Sequence, residues 1–404
     1  MDGDPGVESE VDSFSLVLPL PFRVAIILVL GVWAWGLNLH YLYLLRIDVP
    51  ALIRYPQRPT QHHTSHHHST YRLATFVTVP LAASLLLFWI ITHGSRAKVL
   101  GCQWIPQLYL IFLVGSIAIP LHRLSRSGRS RFVETLKRIS IGRIAEAQDG
   151  KFGDILLADA LTSYAKVLGD WFVSTCMMLS WKTVSTAKPN RGCGGAYIVP
   201  IIISIPSIIR LRQCLIEYSR VRRNPSAGSG WGGQHLANAL KYSTAFPVIF
   251  LSALQRGYDP KTFYMTEASL FRLWLAAVFI NSFYSFYWDV AKDWDLSLFS
   301  SSRERNDPEY PYGLRRHRYF LSNKMYYWAI GIDFCLRCTW SFKLSPHLDH
   351  FNDLEGGIFL MEFLEVWRRW MWIFFRVETE WVRTTRGPAP DDVLLGDFGK
   401  IDDD

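Results

Sequence analysis

Charge is scarce in this 404-residue sequence: Asp, Glu, Lys and Arg together make up 19% of it, where a soluble protein carries about a quarter. That shortage argues against a fold with a fully solvated surface. Cysteine is sparse as well. Cys102, Cys176, Cys193, Cys214, Cys335 and Cys338 lie far apart or inside apolar runs. Cys335 and Cys338 have CxxC spacing, but no second pair is placed to close a zinc site, so the six read as small buried apolar residues. No GxxxxGK[ST] phosphate loop occurs, which speaks against ATP-driven pumping. The first apolar stretch is too long for the core of a cleavable signal peptide, and acidic residues precede it. No internal repeat is present.

Hydrophobic residues are abundant instead, at 50%, with aromatics at 15%. They come in blocks long enough to cross a bilayer, which takes about 20 residues as helix. Nine candidate spans follow: 20–45, 72–93, 104–122, 155–181, 196–218, 234–256, 268–290, 322–343 and 356–382. The fold class expected is therefore all-α, a polytopic transmembrane helix bundle. Segments 1–15 and 387–404 read as polar, acidic tails. The tract from His62 to Thr70 reads as a solvated low-complexity loop before it reads as a metal site.

The net charge of +8 sits mainly between the apolar blocks, a distribution that membrane topology explains better than nucleic-acid binding does. Loops 46–71, 123–154, 219–233 and 291–321 are rich in Lys and Arg, and the alternate loops are poor. The rich set belongs in the cytosol, and nine spans then put the N-terminus in the lumen and the C-terminus in the cytosol. Within the rich set, 131–147 reads either as a basic amphipathic helix on the membrane face or as an ordinary solvated helix.

Ionisable residues inside spans are costly and point to function by default. Arg210, Lys241, Arg337, Arg368 and Arg369 stand against Asp159, Asp293, Asp333 and Glu365. Asp333 and Arg337 share a helix face at i, i+4, and Glu365, Arg368 and Arg369 fall within about one turn. Such cations can grip a tetrahedral oxyanion, with the carboxylates holding them in place and preventing permanent capture. The plainer reading is a set of interhelical salt bridges that only hold the bundle together. Asp289 and Arg376, near span ends, read as snorkelling to the interface. The tryptophans read as packing or belt residues.

Six blocks carry a family resemblance: DILLADALTSYAKVLGDW (154–171), IPSIIRLRQCLIEY (205–218), HLANALKYSTAFPV (235–248), YWDVAKDWDL (287–296), YYWAIGIDFCLRCTW (326–340) and EVWRRWMWIFFRVETEW (365–381). In this order they resemble the EXS-domain family, which includes retrovirus-receptor-type and plant phosphate exporters and short fungal ER-retention-defective proteins of the Golgi. The resemblance implies an EXS transmembrane domain over 154–386, formed by the last six spans. Leading helices over 16–122 and a basic cytosolic segment over 123–153 precede it. It also implies a phosphate pathway through Asp159, Arg210, Lys241, Asp293, Arg337, Trp340, Glu365, Arg368 and Arg369. Trp340 joins the set because it pairs with Arg337 in the LRxxW element. Thr162 and Ala165 stand where the exporters usually have Asn and Ser. The exporters' SPX domain has no counterpart before the first span, which aligns the chain with the short fungal proteins.

The function expected is a Golgi phosphate transporter or channel that returns lumenal phosphate from glycosylation to the cytosol and so supports retention of ER-lumenal proteins. Its partners would be inorganic phosphate, the lipid bilayer and a second copy of itself, with no cofactor and no metal. The competing reading is a trafficking adaptor that recycles Golgi glycosyltransferases through coat and sorting machinery without transport. A membrane enzyme using Asp289, Asp293 and Asp295 ranks third. In sealed microsomes a C-terminal tag should be open to added protease and an N-terminal tag protected; the opposite pattern would overturn the orientation.

Overall fold

Apolar blocks of this length satisfy their backbone polar groups in lipid only as helices, and the described residues of each expected span lie mainly in helices. The computed structural model describes residues 13–54, 66–119, 126–142, 144–145, 150–180, 189–223, 232–260, 265–299, 311–320, 322–339 and 355–386, with no strand among them. The helices are α1 (Ser13–Val17), α2 (Leu20–Leu44), α3 (Val49–Leu52), α4 (His66–Thr92), α5 (Arg96–Gly101), α6 (Trp104–Ala118), α7 (Arg126–Ile141) and α8 (Lys151–Ser163). They continue as α9 (Ala165–Leu179), α10 (Ile198–Arg223), α11 (Gly233–Ser243), α12 (Ala245–Arg256), α13 (Glu267–Trp288), α14 (Asn323–Arg337) and α15 (Glu355–Arg386). By length and composition α2, α4, α10 and Glu267–Asp293 can each cross a membrane.

Which of these helices lines the interior follows from what each buries. Helix α4 has the highest mean hydropathy of the four, 2.2, yet only 22% of its apolar window is buried. Leu86, Leu87, Trp89 and Ile90 point outward from it, as a lipid-facing helix requires. Helix α2 is half buried and packs against α4, α6, α9 and α15. Its first half joins Val77, Leu110 and Leu113 in one apolar cluster. Its second half joins Trp294, Tyr326, Trp372 and Phe375 in another. The long, charged α15 lies between α2, α8 and α14.

Two expected spans are broken, not continuous. The fourth splits at Tyr164, whose N–H turns to the carbonyls of Leu161 and Thr162. The sixth splits at Thr244, whose hydroxyl lies 2.7 Å from the Lys241 carbonyl and 2.9 Å from Asn281 Oδ1, either of which can take its one proton. Helix α13 ends in a π-helical turn, Asp289–Asp293, where the Trp294 N–H reaches back five residues to the Asp289 carbonyl at 2.9 Å. All three irregularities abut ionisable residues, as discontinuities in membrane helices commonly do.

The cysteine reading needs correction. Cys176 and Cys193 form a disulfide, because the turn after α9 folds back onto that helix, a return that the 17-residue separation does not reveal. Cys102, Cys214, Cys335 and Cys338 are free. The basic segment has a feature that neither of its readings includes: α7 is bolted to the bundle. Arg129 is buried and donates to the Ser116 and Ile119 carbonyls at 2.5 and 2.8 Å, satisfying the end of α6. Arg138 grips Asp154 with two hydrogen bonds, one at 2.8 Å. Of the histidine tract, residues 66–70 begin α4, and no metal-holding group occurs among the described residues. Residues 1–12 and 387–404 lie outside the described residues.

Gly31 of α2 faces Tyr164 so closely that a Cβ would collide with the phenol oxygen. Gly31→Ala should cost about 1–3 kcal/mol by overpacking, read as a lower thermal midpoint of the detergent-solubilised protein. Tyr164→Phe on that background should recover part of the loss, and no recovery would refute the contact.

Candidate functional site

Six ionisable groups sought by sequence, Lys241, Asp293, Asp333, Arg337, Glu365 and Arg368, join in one network, and a seventh group ties them together. Asp289, at the head of the π turn, is fully buried. Its Oδ1 accepts from Lys241 Nζ of α11 at 3.0 Å. Its Oδ2 accepts from Arg337 Nη2 of α14 and from Arg368 Nη1 of α15, the latter at 3.4 Å. Asp289 was assigned to the interface by sequence; the π turn instead swings it into the centre. Lys241 also reaches Asp293 Oδ2 at 3.2 Å.

The network extends from there in both directions. Arg337 Nε donates to Asp333 Oδ2 at 3.2 Å, as the i, i+4 spacing implies, and Arg368 Nη1 donates to Asp333 Oδ1 at 3.0 Å. Arg368 also clamps Glu365 through Nε at 2.9 Å and Nη2 at 2.6 Å. Asp159 of α8 accepts from Arg210 Nε at 2.6 Å and from the Tyr242 hydroxyl. Arg210 Nη1 then donates to Gln213 at 2.5 Å. Nearer the C-terminal end of α15, Arg376 pairs with Glu380 at 2.8 Å; it is buried, not snorkelling.

Arg369 is the exception. It is buried at 6% exposure, yet no ion pair to a carboxylate forms there among the described residues. Its Nε donates to Ser163 Oγ at 2.9 Å and its Nη2 to Thr162 Oγ1 at 3.2 Å, while its Nη1 has no partner. The guanidinium lies over the Trp372 ring, 4.5 Å from the centroid. Stacking and two hydroxyls orient the charge without neutralising it. The charged groups of the column are not all sealed: Glu365 keeps 40% of its side-chain surface accessible, Asp293 15% and Arg337 11%.

Sequence reasoning thus located Asp159, Arg210, Lys241, Asp293, Arg337, Glu365, Arg368 and Arg369, which the structure draws into two adjoining networks; Trp340 lies outside the described residues. It missed Ser163, Tyr242 and Gln213, for which no signal existed, because hydroxyls and amides are unremarkable in sequence. Thr162, where the exporters have Asn, still offers Arg369 an acceptor. The spacing of Asp289 and Asp293, one turn apart, was the available pointer to Asp289. Trp288 and Trp294 are buried in packing, whereas Trp372 also backs Arg369.

Apolar helices outside and a hydrogen-bonded column of charge within define a multi-pass membrane protein with a polar interior. The chain belongs to the EXS family, whose profile matches residues 18–382, the leading helices included. It is similar to Protein ERD1 homolog 2 of Schizosaccharomyces pombe, 31% identical over 314 residues that cover 77% of this chain and 76% of that protein. Protein ERD1 of Kluyveromyces lactis is 32% identical over 248 residues, 59% of this chain and 61% of that one. Solute carrier family 53 member 1 of Homo sapiens is 31% identical over 243 residues, 57% of this chain and 32% of that one.

Removing one partner from a buried charge network strands the others, typically at about 3–5 kcal/mol. Asp289→Ala should therefore destabilise the protein by that amount in reversible micelle unfolding. Arg369→Gln, which strands no carboxylate, should cost less than about 1.5 kcal/mol. Equal losses would refute the distinction between the two sites.

Proposed function

We propose that this protein is a phosphate transporter or channel of the Golgi membrane that passes lumenal phosphate to the cytosol. The observation that carries the reading is Arg369, a buried, oriented guanidinium with one unpartnered nitrogen and two hydroxyls beside it. A tetrahedral oxyanion meets this group well: Arg369 Nη1 supplies charge, and the Thr162 hydroxyl, whose proton goes to the Asp159 carbonyl at 2.7 Å, can turn to donate. Glu365 is pinned by Arg368 and by Ser163 at 2.7 Å, so its negative charge limits how long an anion stays.

Passage then proceeds by exchange of partners. An arriving phosphate takes Arg369 first, next competes with Asp289 and Asp333 for Arg368 and Arg337, and then reaches Lys241 and Arg210. Beyond Arg369, each of these cations has a carboxylate to return to once the anion moves on, which limits how long any charge goes unpaired in low dielectric. The broken helices at Tyr164 and Thr244 provide the joints at which α8 and α11 can yield without unwinding a whole span. The resemblance to phosphate exporters supports phosphate as the anion, and the likeness to the ERD1 proteins supports the Golgi. A disulfide at Cys176–Cys193 fits an oxidising lumen on the face opposite the basic loops, which agrees with a lumenal N-terminus and a cytosolic C-terminus.

Arg369→Gln should abolish labelled-phosphate flux in liposomes holding only the purified protein, while size-exclusion behaviour and thermal midpoint stay close to those of the parent. Undiminished flux through a folded Arg369→Gln protein would reject the reading.

A further inference from the structure

Glu362 lies on α15 one turn from Glu365, toward the Glu355 end of the helix. It is 4% exposed, and its Oε1 has no hydrogen-bond partner. Its side chain meets that of Asp170 on α9, also 4% exposed. Two buried carboxylates in contact stay ionised together only if nearby cations compensate both.

The cations here are largely committed elsewhere. Lys166 of α9 has its Nζ 3.9 Å from Glu362 Oε1, beyond hydrogen-bond reach, and its side chain is 44% exposed. Arg191, carried on the disulfide-tethered turn, gives two hydrogen bonds to Glu355 at 2.6 and 3.0 Å and approaches Asp170 only at 3.5 Å. Arg23 of α2 is bound to Glu355 at 2.5 Å, Ser15 at 2.7 Å and the Leu18 carbonyl at 2.8 Å. Arg256, at the end of α12, faces Asp170 and Arg191. Glu355 is thus held by two arginines, whereas Glu362 has a lysine 3.9 Å away and, at longer range, the Arg191 already bound to Glu355.

We propose that Glu362 and Asp170 together bind a single proton taken from the lumenal side, and that this proton governs entry of phosphate into the column. The inference rests on the transport reading above and gives it a control point. With the pair doubly ionised, negative charge stands one turn ahead of Glu365 and Arg369 and repels an arriving anion. Uptake of one proton removes a unit of that charge and widens the excess of Lys166, Arg191, Arg23 and Arg256 over the carboxylates that stay ionised. Entry therefore speeds as the lumenal face becomes more acidic, and the proton need not travel with the anion.

The test uses the full-length protein in liposomes with the lumenal face outward, with external pH stepped from about 8 to about 5. Phosphate itself titrates in this range, so the readout is the difference between proteins. Wild-type flux should rise about tenfold more over the range than that of Glu362→Gln, a variant that mimics the protonated state and should be fast and nearly pH-independent beyond the titration of phosphate. Asp170→Asn should flatten the profile in the same way. In parallel, infrared difference spectra of the wild-type protein in nanodiscs, without phosphate, should show a protonated-carboxyl stretch that titrates and is missing in Glu362→Gln. Coincident flux profiles for wild type and both variants, or a titrating band unchanged in Glu362→Gln, would overturn the proposal. If the wild type carries no phosphate at all, the transport reading fails and takes the control of entry with it, while the infrared result still decides whether the pair binds a proton.

Discussion

A carboxylate with no solvent around it has to be paired, and Asp289 is paired three times over. Lys241 from α11, Arg337 from α14 and Arg368 from α15 converge on its two oxygens. Each cation is itself too costly to leave unpaired in a membrane interior. Segments separated by up to 127 positions in the chain, Lys241 to Arg368, are thereby fixed against one another by charge as much as by packing. Arg368 then passes the constraint on to Asp333 and Glu365. Its neighbour Arg369, about 100° further round the helix, faces α8, where it finds hydroxyls in place of carboxylates.

Helix irregularity serves the same end. The break at Tyr164 follows immediately on Thr162 and Ser163, and the break at Thr244 follows Lys241 by one turn. The π turn carries Asp289 and Asp293 together. Regular helices would cross the bilayer more cheaply, but they would present these groups at fixed 100° intervals. Breaks let the chain re-aim them, and the side-chain hydroxyl of Thr244 steadies one of the interruptions.

The two ends of the bundle are built differently. Near the basic loops, arginines act as struts. Arg129 caps α6, Arg138 holds Asp154, and Arg315 joins Glu378 at 2.6 Å, where Tyr326 and the Tyr319 N–H also bind. Residues that read in sequence as topology markers therefore also pin the basic loops to the helices. At the other end, a disulfide fixes the turn that holds Arg191 on Glu355.

The sequence by itself determined the class, the places of the helices and most of the charged column. Backbone groups in lipid force helices, and a charge inside an apolar run is expensive enough to be conspicuous without coordinates. Hydroxyls and the ends of spans carry no such signal, so Ser163, Tyr242 and the centrality of Asp289 stayed hidden. Pairing was equally out of reach: nothing in the order of residues says that Arg368 should be saturated and Arg369 left with an unbound nitrogen, or that Cys193 returns to Cys176. Those outcomes depend on which helix faces lie opposite each other in space, and only the tertiary structure decides that.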